Sequence, residues 1–348
     1  MVTQQRASTL SQRASTLLNI LVDDYIATGH PVGSKRIALK HGPGVSPATI
    51  RNDMAEMEGQ GYISRPHISA GGVPLDKGYR HYVTALEIYW PDLEPATKRA
   101  FVNSIQRNMD MEERMRVAAD LLARVVQNIA IASLPRSSQP RLKHLELVAL
   151  EEGVLLLVIL EGTQVKRHVL HRPDGISQDQ LTFLSHRLTE LFQGLNWEQI
   201  MHRLKDLLPL EQQVGQVVAH LLKEEGSQSP EVAIAGIRYF VQHPEFQQEA
   251  SLREVVERVE DKRGLRAIFQ SLGMEESSAI IIGEENVEKA LRHCSIVLAR
   301  YGRSNELQGV VGVVGPTRML YHRSLAAVRL LANLLGDVPG EGGAQRQN

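Results

Sequence analysis

Between Asp24 and Asp53 the chain holds no acidic residue, yet this window carries Lys35, Arg36, Lys40 and Arg51, with His30 and His41. Cations without anions form a local basic patch, although 39 Lys and Arg against 40 Asp and Glu leave a net charge of -1 overall. Such a patch suits a polyanion, because phosphate contacts supply affinity through counterion release whatever the base sequence. The window also runs into Thr49-Ile50-Arg51-Asn52. An arginine can hold guanine O6 and N7 with two hydrogen bonds, and an asparagine can do the same for adenine N6 and N7. Each such pair is worth ~1–3 kcal/mol of discrimination between bases. Thr49 can reach a phosphate or a thymine methyl. The competing reading is a solvated helix face on which Arg51 pairs with Asp53 or Glu58.

Those side chains need helices to present them. Leu10, Ala14, Leu17, Leu18, Leu21, Val22 and Tyr25 share one face at helical spacing. Gly29-His30-Pro31 ends that helix, since Pro31 disfavours helical geometry at His30 and Gly29 suits a C-terminus. A second short helix starts at Gly33-Ser34 and stops at His41-Gly42-Pro43-Gly44. The third begins at Ser46-Pro47, a capping hydroxyl followed by proline at the first helical position. It buries Ile50, Met54 and Met57, and it turns Thr49, Arg51, Asn52 and Ala55 outward or sideways. Tyr62-Ile63-Ser64 reads as a strand, Ser69 to Gly72 as a turn, and a fourth helix runs from about Asp76 towards Tyr89. Helix, helix, turn, helix, strand and glycine-bearing loop is the order of a winged helix-turn-helix, whose third helix enters a major groove.

The string GHPVGSKRIALKHGPGVSPATIRNDMAEMEGQGYISRPHISAGGVPLDKGYRHYV resembles the heat-inducible transcription repressor HrcA family. IIIGEEN at 280–286 and GVVGVVGPTRMLY at 309–321 extend the resemblance to the far end of the chain. It implies a dimeric repressor of chaperone operons that binds an inverted-repeat operator called CIRCE. It also implies that the GroEL chaperonin maintains the active fold, and that heat lowers repression by occupying the chaperonin. The DNA-contacting set expected here is Lys35, Arg36, Ser46, Thr49, Arg51, Asn52, Arg65, His67, Ser69, Lys77 and Arg80. Two positions depart from the family pattern. Gly72 stands where the family usually has Arg, which removes an expected groove-reading cation and leaves Arg65, His67 and Ser69 as wing candidates. Leu75 stands where it usually has Thr, which removes an expected helix cap.

Beyond residue 90 the pattern is α+β. Residues 92–133 read as helix and 134–141 as loop. His144 to Leu150 and Val154 to Leu160 read as a hairpin, with a third strand at Val165 to Leu170. Helices follow at 177–194 and 197–224, then β-like residues from Glu231 to Tyr239, and a helix over 251–272. Strands at 278–283, 295–301 and 307–314, with a short helix at 286–292, lead into a final helix after Pro316. The resemblance implies a GAF-like domain over 91–171 and 251–337. It also implies a dimerisation domain inserted at 172–250; the tail, 338–348, is polar and Gly-rich and reads as disordered.

Composition narrows the remaining classes. A hydrophobic fraction of 43% and a charged fraction of 23% are ordinary for a soluble globular chain of two or three domains. The lone Cys294 excludes a disulfide framework and a multi-Cys zinc site. The N-terminus has no apolar core of a signal peptide, and the longest apolar run, Val154 to Leu160, is far short of the ~20 residues that span a bilayer. The expected setting is the bacterial cytoplasm, with no membrane partner. Enzyme readings fare poorly. Gly309, Gly312 and Gly315 lack the Gly-Lys-Ser/Thr of a phosphate loop and fit strand glycines better. His168 and His171 lie three apart on a strand and point to opposite faces. Cys294 reads as an inert thiol, and Glu284-Glu285 as a solvated turn. No cofactor or metal is expected. The alternatives are a regulator whose GAF-like domain senses a small molecule, an enzyme with an appended DNA module, and a scaffold that has lost DNA binding through Gly72.

Overall fold

The computed structural model describes residues 10–336, apart from 42–44, 66, 68–69, 90–91, 106–108, 138, 162–164, 172–174, 228–230, 247–248, 274–275 and 303–306. The tail expected to be disordered lies outside the described residues. The chain is α+β and divides into two compact units.

The first unit opens with α1 (Gln12–Thr28), α2 (Ser34–His41) and α3 (Pro47–Gly59). Ser11 caps α1 through the Ala14 N–H, and Gly29 ends it at φ 67°, donating its N–H to the Tyr25 carbonyl at 2.7 Å. Only a residue without a Cβ takes that left-handed position readily. A short antiparallel ribbon follows, β1 (Ile63–Ser64) with β2 (Val73–Pro74), and then α4 (Asp76–Tyr89). Val32 and Gly72 exchange backbone hydrogen bonds at 2.9 Å, which ties the base of the ribbon to the α1–α2 connection. Leu17, Leu21, Ile37, Ile50, Met57 and Val83 are completely buried and form the core of this module.

Next come α5 (Pro95–Ser104), α6 (Met111–Val126) and β3 (Ile129–Ser133). The sequence pattern predicts helix through to 133. Instead α6 stops at Gln127, which takes a left-handed φ of 56°, and Ile129–Ser133 is a fully buried strand. A short apolar run carries no period that separates helix from strand. Its neighbours on either side, β7 (Val232–Ala235) and β10 (Gln308–Pro316), come from distant sequence.

The second unit holds β4 (Leu142–Ala149), β5 (Val154–Leu160) and β6 (Val165–Leu170), an antiparallel sheet in chain order, with α7 (Gln178–Phe192), α8 (Trp197–Arg203) and α9 (Pro209–Ser227). The expected hairpin and third strand are present. The 197–224 helix is two helices, separated by a 3-10 turn and restarted at Pro209. The inserted region was expected at 172–250. The chain departs at Leu134 and returns at Val232, so β4–β6 belong with α7–α9. Leu145, Leu156 and Val158 close one core with Leu188, Phe192 and Val218, and strands sharing a core cannot be assigned elsewhere.

The first unit resumes with β7 (Val232–Ala235), the single turn α10 (Ile237–Phe240), α11 (Glu249–Glu260) and α12 (Lys262–Gln270). It finishes with β8 (Ser278–Ile282), β9 (Cys294–Gly302), β10 (Gln308–Pro316) and α13 (Tyr321–Gly336). The 251–272 helix breaks at Asp261, which caps α12, and the expected helix at 286–292 is a 3-10 turn over Lys289–Leu291. The five strands run in the order β7-β3-β10-β9-β8. Gly312 lies against the Leu298 side chain and the Val297 carbonyl, and Gly315 against Asn128, so these glycines serve close packing within a sheet. Cys294 is buried, and burial pushes its thiol up to about 12, which leaves it protonated and inert.

Candidate nucleic-acid interface

Helix α3 starts where its sequence says it should. Ser46 Oγ accepts the Thr49 N–H at 3.1 Å and lies 3.0 Å from the Thr49 hydroxyl, with Pro47 in the first turn. Ile50, Met54 and Met57 face the core, and Arg51, Asn52 and Ala55 face solvent. Neither anion proposed to neutralise Arg51 does so. Asp53 is buried and accepts Arg13 from α1 at 2.7 Å. That hydrogen bond holds the Arg13 guanidinium above its ordinary pKa. Glu58 accepts the Arg65 side chain at 2.9 and 2.5 Å and the Arg65 N–H at 3.0 Å. These bonds hold the Glu58 carboxyl below the usual carboxylate range. Glu56 takes the Gln60 amide at 3.1 Å. Among the described residues Arg51 and Asn52 have no side-chain partner.

The rest of the basic window is less available than its composition suggests. Asp24 lies on the inward stripe of α1 and is 1% exposed. Arg36 pairs with both of its oxygens, and Lys40 with one at 2.6 Å. Burial would raise the Asp24 pKa, but the hydrogen bonds from Lys40 and Arg36 outweigh it and hold the carboxyl below its ordinary value. Two of the four cations therefore answer an anion that borders the window in sequence and sits beneath it in space. Lys35 is exposed and has no acidic partner among the described residues.

A family model for the HrcA protein C-terminal domain matches residues 112–325. A heat-inducible transcription repressor HrcA of Dehalococcoides mccartyi is 34% identical over 342 residues, covering 95% of this chain and 99% of that protein. The protein of the same name from Mycolicibacterium smegmatis is 32% identical and covers 94% and 98%. The chain belongs to the HrcA family. A solved structure described as a hypothetical protein shares the fold, with a TM-score of 0.60 and 22% identity over 95% of this chain and 98% of that one.

In this HrcA-family chain the remaining expected contacts separate into two groups. His67 is exposed in the β1–β2 loop, and Ser69 lies outside the described residues. Arg65 is 8% exposed at its side chain and is held against α3 by Glu58. Lys77 donates to the Gln60 carbonyl at 2.8 Å and lies 4.2 Å over the Tyr62 ring, closing the C-terminal end of α3. Arg80 points to Glu285 and to the Ile280 carbonyl. Gly72 is buried, and a Cβ there would lie 3.0 Å from Ile63 and Leu21 and 3.2 Å from Met54. A side chain at 72 would start from the core side of the module, so Gly72 is not simply a missing wing-tip cation. Leu75 is exposed, and α4 begins without a side-chain cap from it. Sequence reasoning missed Asp24. Its signal was present: Asp24 continues the buried Leu17-Leu21 stripe, and a carboxylate on an apolar stripe demands buried partners.

Proposed function

We propose that this HrcA-family chain is a dimeric, sequence-specific, DNA-binding transcription repressor without enzymatic activity. Residues 12–89 act as a winged helix-turn-helix, with α3 in the major groove and the β1–β2 loop as the wing. One observation carries this reading. Arg51 and Asn52 stand exposed and unpaired on α3 while Asp24, Asp53 and Glu58 are each engaged by another cation. A surface helix built only for solubility has no need to keep a bidentate donor away from the two carboxylates of its own helix, Asp53 and Glu58. Arg51 and Asn52 read bases, Lys35 and Thr49 meet phosphates, and Ser46 holds the helix end that approaches the backbone. His67 and Ser69 are the wing contacts. Arg36 and Arg65 shape the module through their pairs with Asp24 and Glu58.

The five-stranded body corresponds to the GAF-like domain, and residues 134–231 to the inserted dimerisation domain. Two-fold symmetry then calls for half-sites about one helical turn apart, ~10 bp, or a multiple of that. The operator is a CIRCE-type inverted repeat at chaperone promoters, the setting is the cytoplasm, and the GroEL chaperonin keeps the dimer active. Among the described residues no helix is long and apolar enough to cross a membrane. Heat release requires only a marginal active state, since a loss of ~1–2 kcal/mol changes abundance several-fold. The test is a fluorescence titration of the full chain against an inverted-repeat chaperone promoter and a scrambled duplex, with and without chaperonin and at rising temperature. Preference for the inverted repeat, sustained by chaperonin and lost on heating, is expected. Equal affinity for both duplexes at every salt concentration would overturn the reading.

A further inference from the structure

Three sequence blocks that the DNA-reading surface leaves unused meet in one place within the first unit. They are Asp76-Lys77-Gly78-Tyr79-Arg80, Gly283-Glu284-Glu285-Asn286, and the Arg318 to Tyr321 stretch. Arg80 donates through Nε to Glu285 at 2.9 Å, pairs with the second carboxylate oxygen, and donates to the Ile280 carbonyl at 2.7 Å. Asp76 accepts the Glu284 N–H at 2.8 Å. Gly283 has φ +53°, and a Cβ there would overlap the Asp76 carboxylate, so the approach needs glycine on both counts. The Glu284-Glu285 pair, read from sequence as a solvated turn, is instead the receiving side of a contact 205 positions from Arg80 in the chain.

The receiving side is braced from behind. Glu285 also accepts the Ile282 N–H at 2.8 Å, and the buried Asn286 amide donates to the Gly283 and Cys294 carbonyls at 2.8 and 3.0 Å. Beside it the Tyr79 and Tyr82 rings lie 6.0 and 6.5 Å from the fully buried Tyr321, whose hydroxyl contacts Ser295 at 2.7 Å. Alongside, Arg318, paired with Glu245, donates to the Ile26 carbonyl at 3.4 Å near the C-terminus of α1. An exposed ion pair alone fixes little. Here backbone donors and acceptors, a glycine-only approach and buried rings hold the same seam.

We infer that Arg80 is a positioning residue: with Asp76, Glu284 and Glu285 it locks the N-terminal module to the five-stranded body and thereby selects the half-site spacing of the operator. The inference rests on the repressor reading above and deepens it. A reading helix on a loose tether accepts many spacings, whereas one fixed to its body accepts the spacing the dimer presents.

The experiment measures binding of the full chain to an inverted-repeat chaperone promoter, to the same repeat with the spacer changed by half a helical turn, and to a single half-site, each at several salt concentrations. The variants are Arg80→Ala, Glu285→Ala and the exchanged pair Arg80→Glu with Glu285→Arg. Wild type is expected to prefer the natural spacer at least tenfold. Each alanine variant should reduce that preference to threefold or less, with half-site affinity and salt slope unchanged, and the exchanged pair should recover part of it. If Arg80→Ala instead lowers the salt slope by about one and weakens the half-site while Glu285→Ala does neither, Arg80 contacts phosphate and the inference fails. Spin labels on α4 and on α13 give a second readout that needs no DNA. Their distance distribution should broaden in both alanine variants. An unchanged distribution overturns the lock, whereas a broadened one in a protein that ignores the inverted repeat sinks only the repressor reading.

Discussion

Helices α3 and α4 both carry cations that the sequence offers to DNA, and the fold treats them in opposite ways. On α3 the nearby carboxylates are drawn off by Arg13 and Arg65, and Arg51 is left exposed. On α4 Lys77 closes the end of α3 and Arg80 bonds to Glu285 and the Ile280 carbonyl. A count of basic residues therefore overstates the charge that reaches a ligand. What matters is where each anion goes, because a carboxylate two residues away in sequence can face the opposite side of a helix.

That contrast can be broken, most sharply at Arg51. Arg51→Ala should cost ~1–3 kcal/mol of operator discrimination, roughly five- to 150-fold, with stability within about ±0.5 kcal/mol of wild type. Paired titrations and thermal melts check it, and an equal loss on scrambled DNA would make Arg51 a phosphate contact. Ser46→Ala removes the cap that opens α3 and should lower stability by ~1 kcal/mol in denaturant titrations. Lys35→Ala should weaken binding to all duplexes evenly and lower the salt slope by about one, leaving base preference intact.

Acid provides a fourth test. The Asp24 carboxyl has its pKa lowered in the folded state, so its contribution to stability is complete above the unfolded value and disappears as the pH falls through the folded one. Stability measured from pH 6 downwards should therefore decline below about pH 4, and Asp24→Asn should flatten that limb. The smallest effect is expected at Lys77. Lys77→Ala should leave the salt slope within experimental error, because its ammonium already serves the Gln60 carbonyl and the Tyr62 ring. A drop near one would move α4 into the interface and erase the contrast with α3.

Much of the N-terminal module was legible because its signals are local. Gly29-His30-Pro31 and Ser46-Pro47 mark helix ends by steric and capping rules that act within a few residues, and both ends fall where expected. The β4–β6 meander was legible for the same reason, through apolar runs on either side of a turn at Glu151-Glu152-Gly153. The 129–133 segment was not. Ile-Ala-Ile-Ala after a helix continues an apolar pattern, and only pairing with β7 and β10 makes it a strand. Leu134 and Val232 bound the second unit because the strands that flank them join different cores.

The amino-acid sequence by itself determined the family, the helix order of the first ninety residues, and the presence of Arg51 and Asn52 on the outer side of a capped helix. Spacing and capping act along the chain, so they can be read along it. Tertiary structure alone decided which cations remain available. Asp24 reaches Arg36 and Lys40, Asp53 reaches Arg13, and Glu285 reaches Arg80 only after folding brings them together. Ion pairs form between neighbours in space, and sequence distance does not reveal those neighbours.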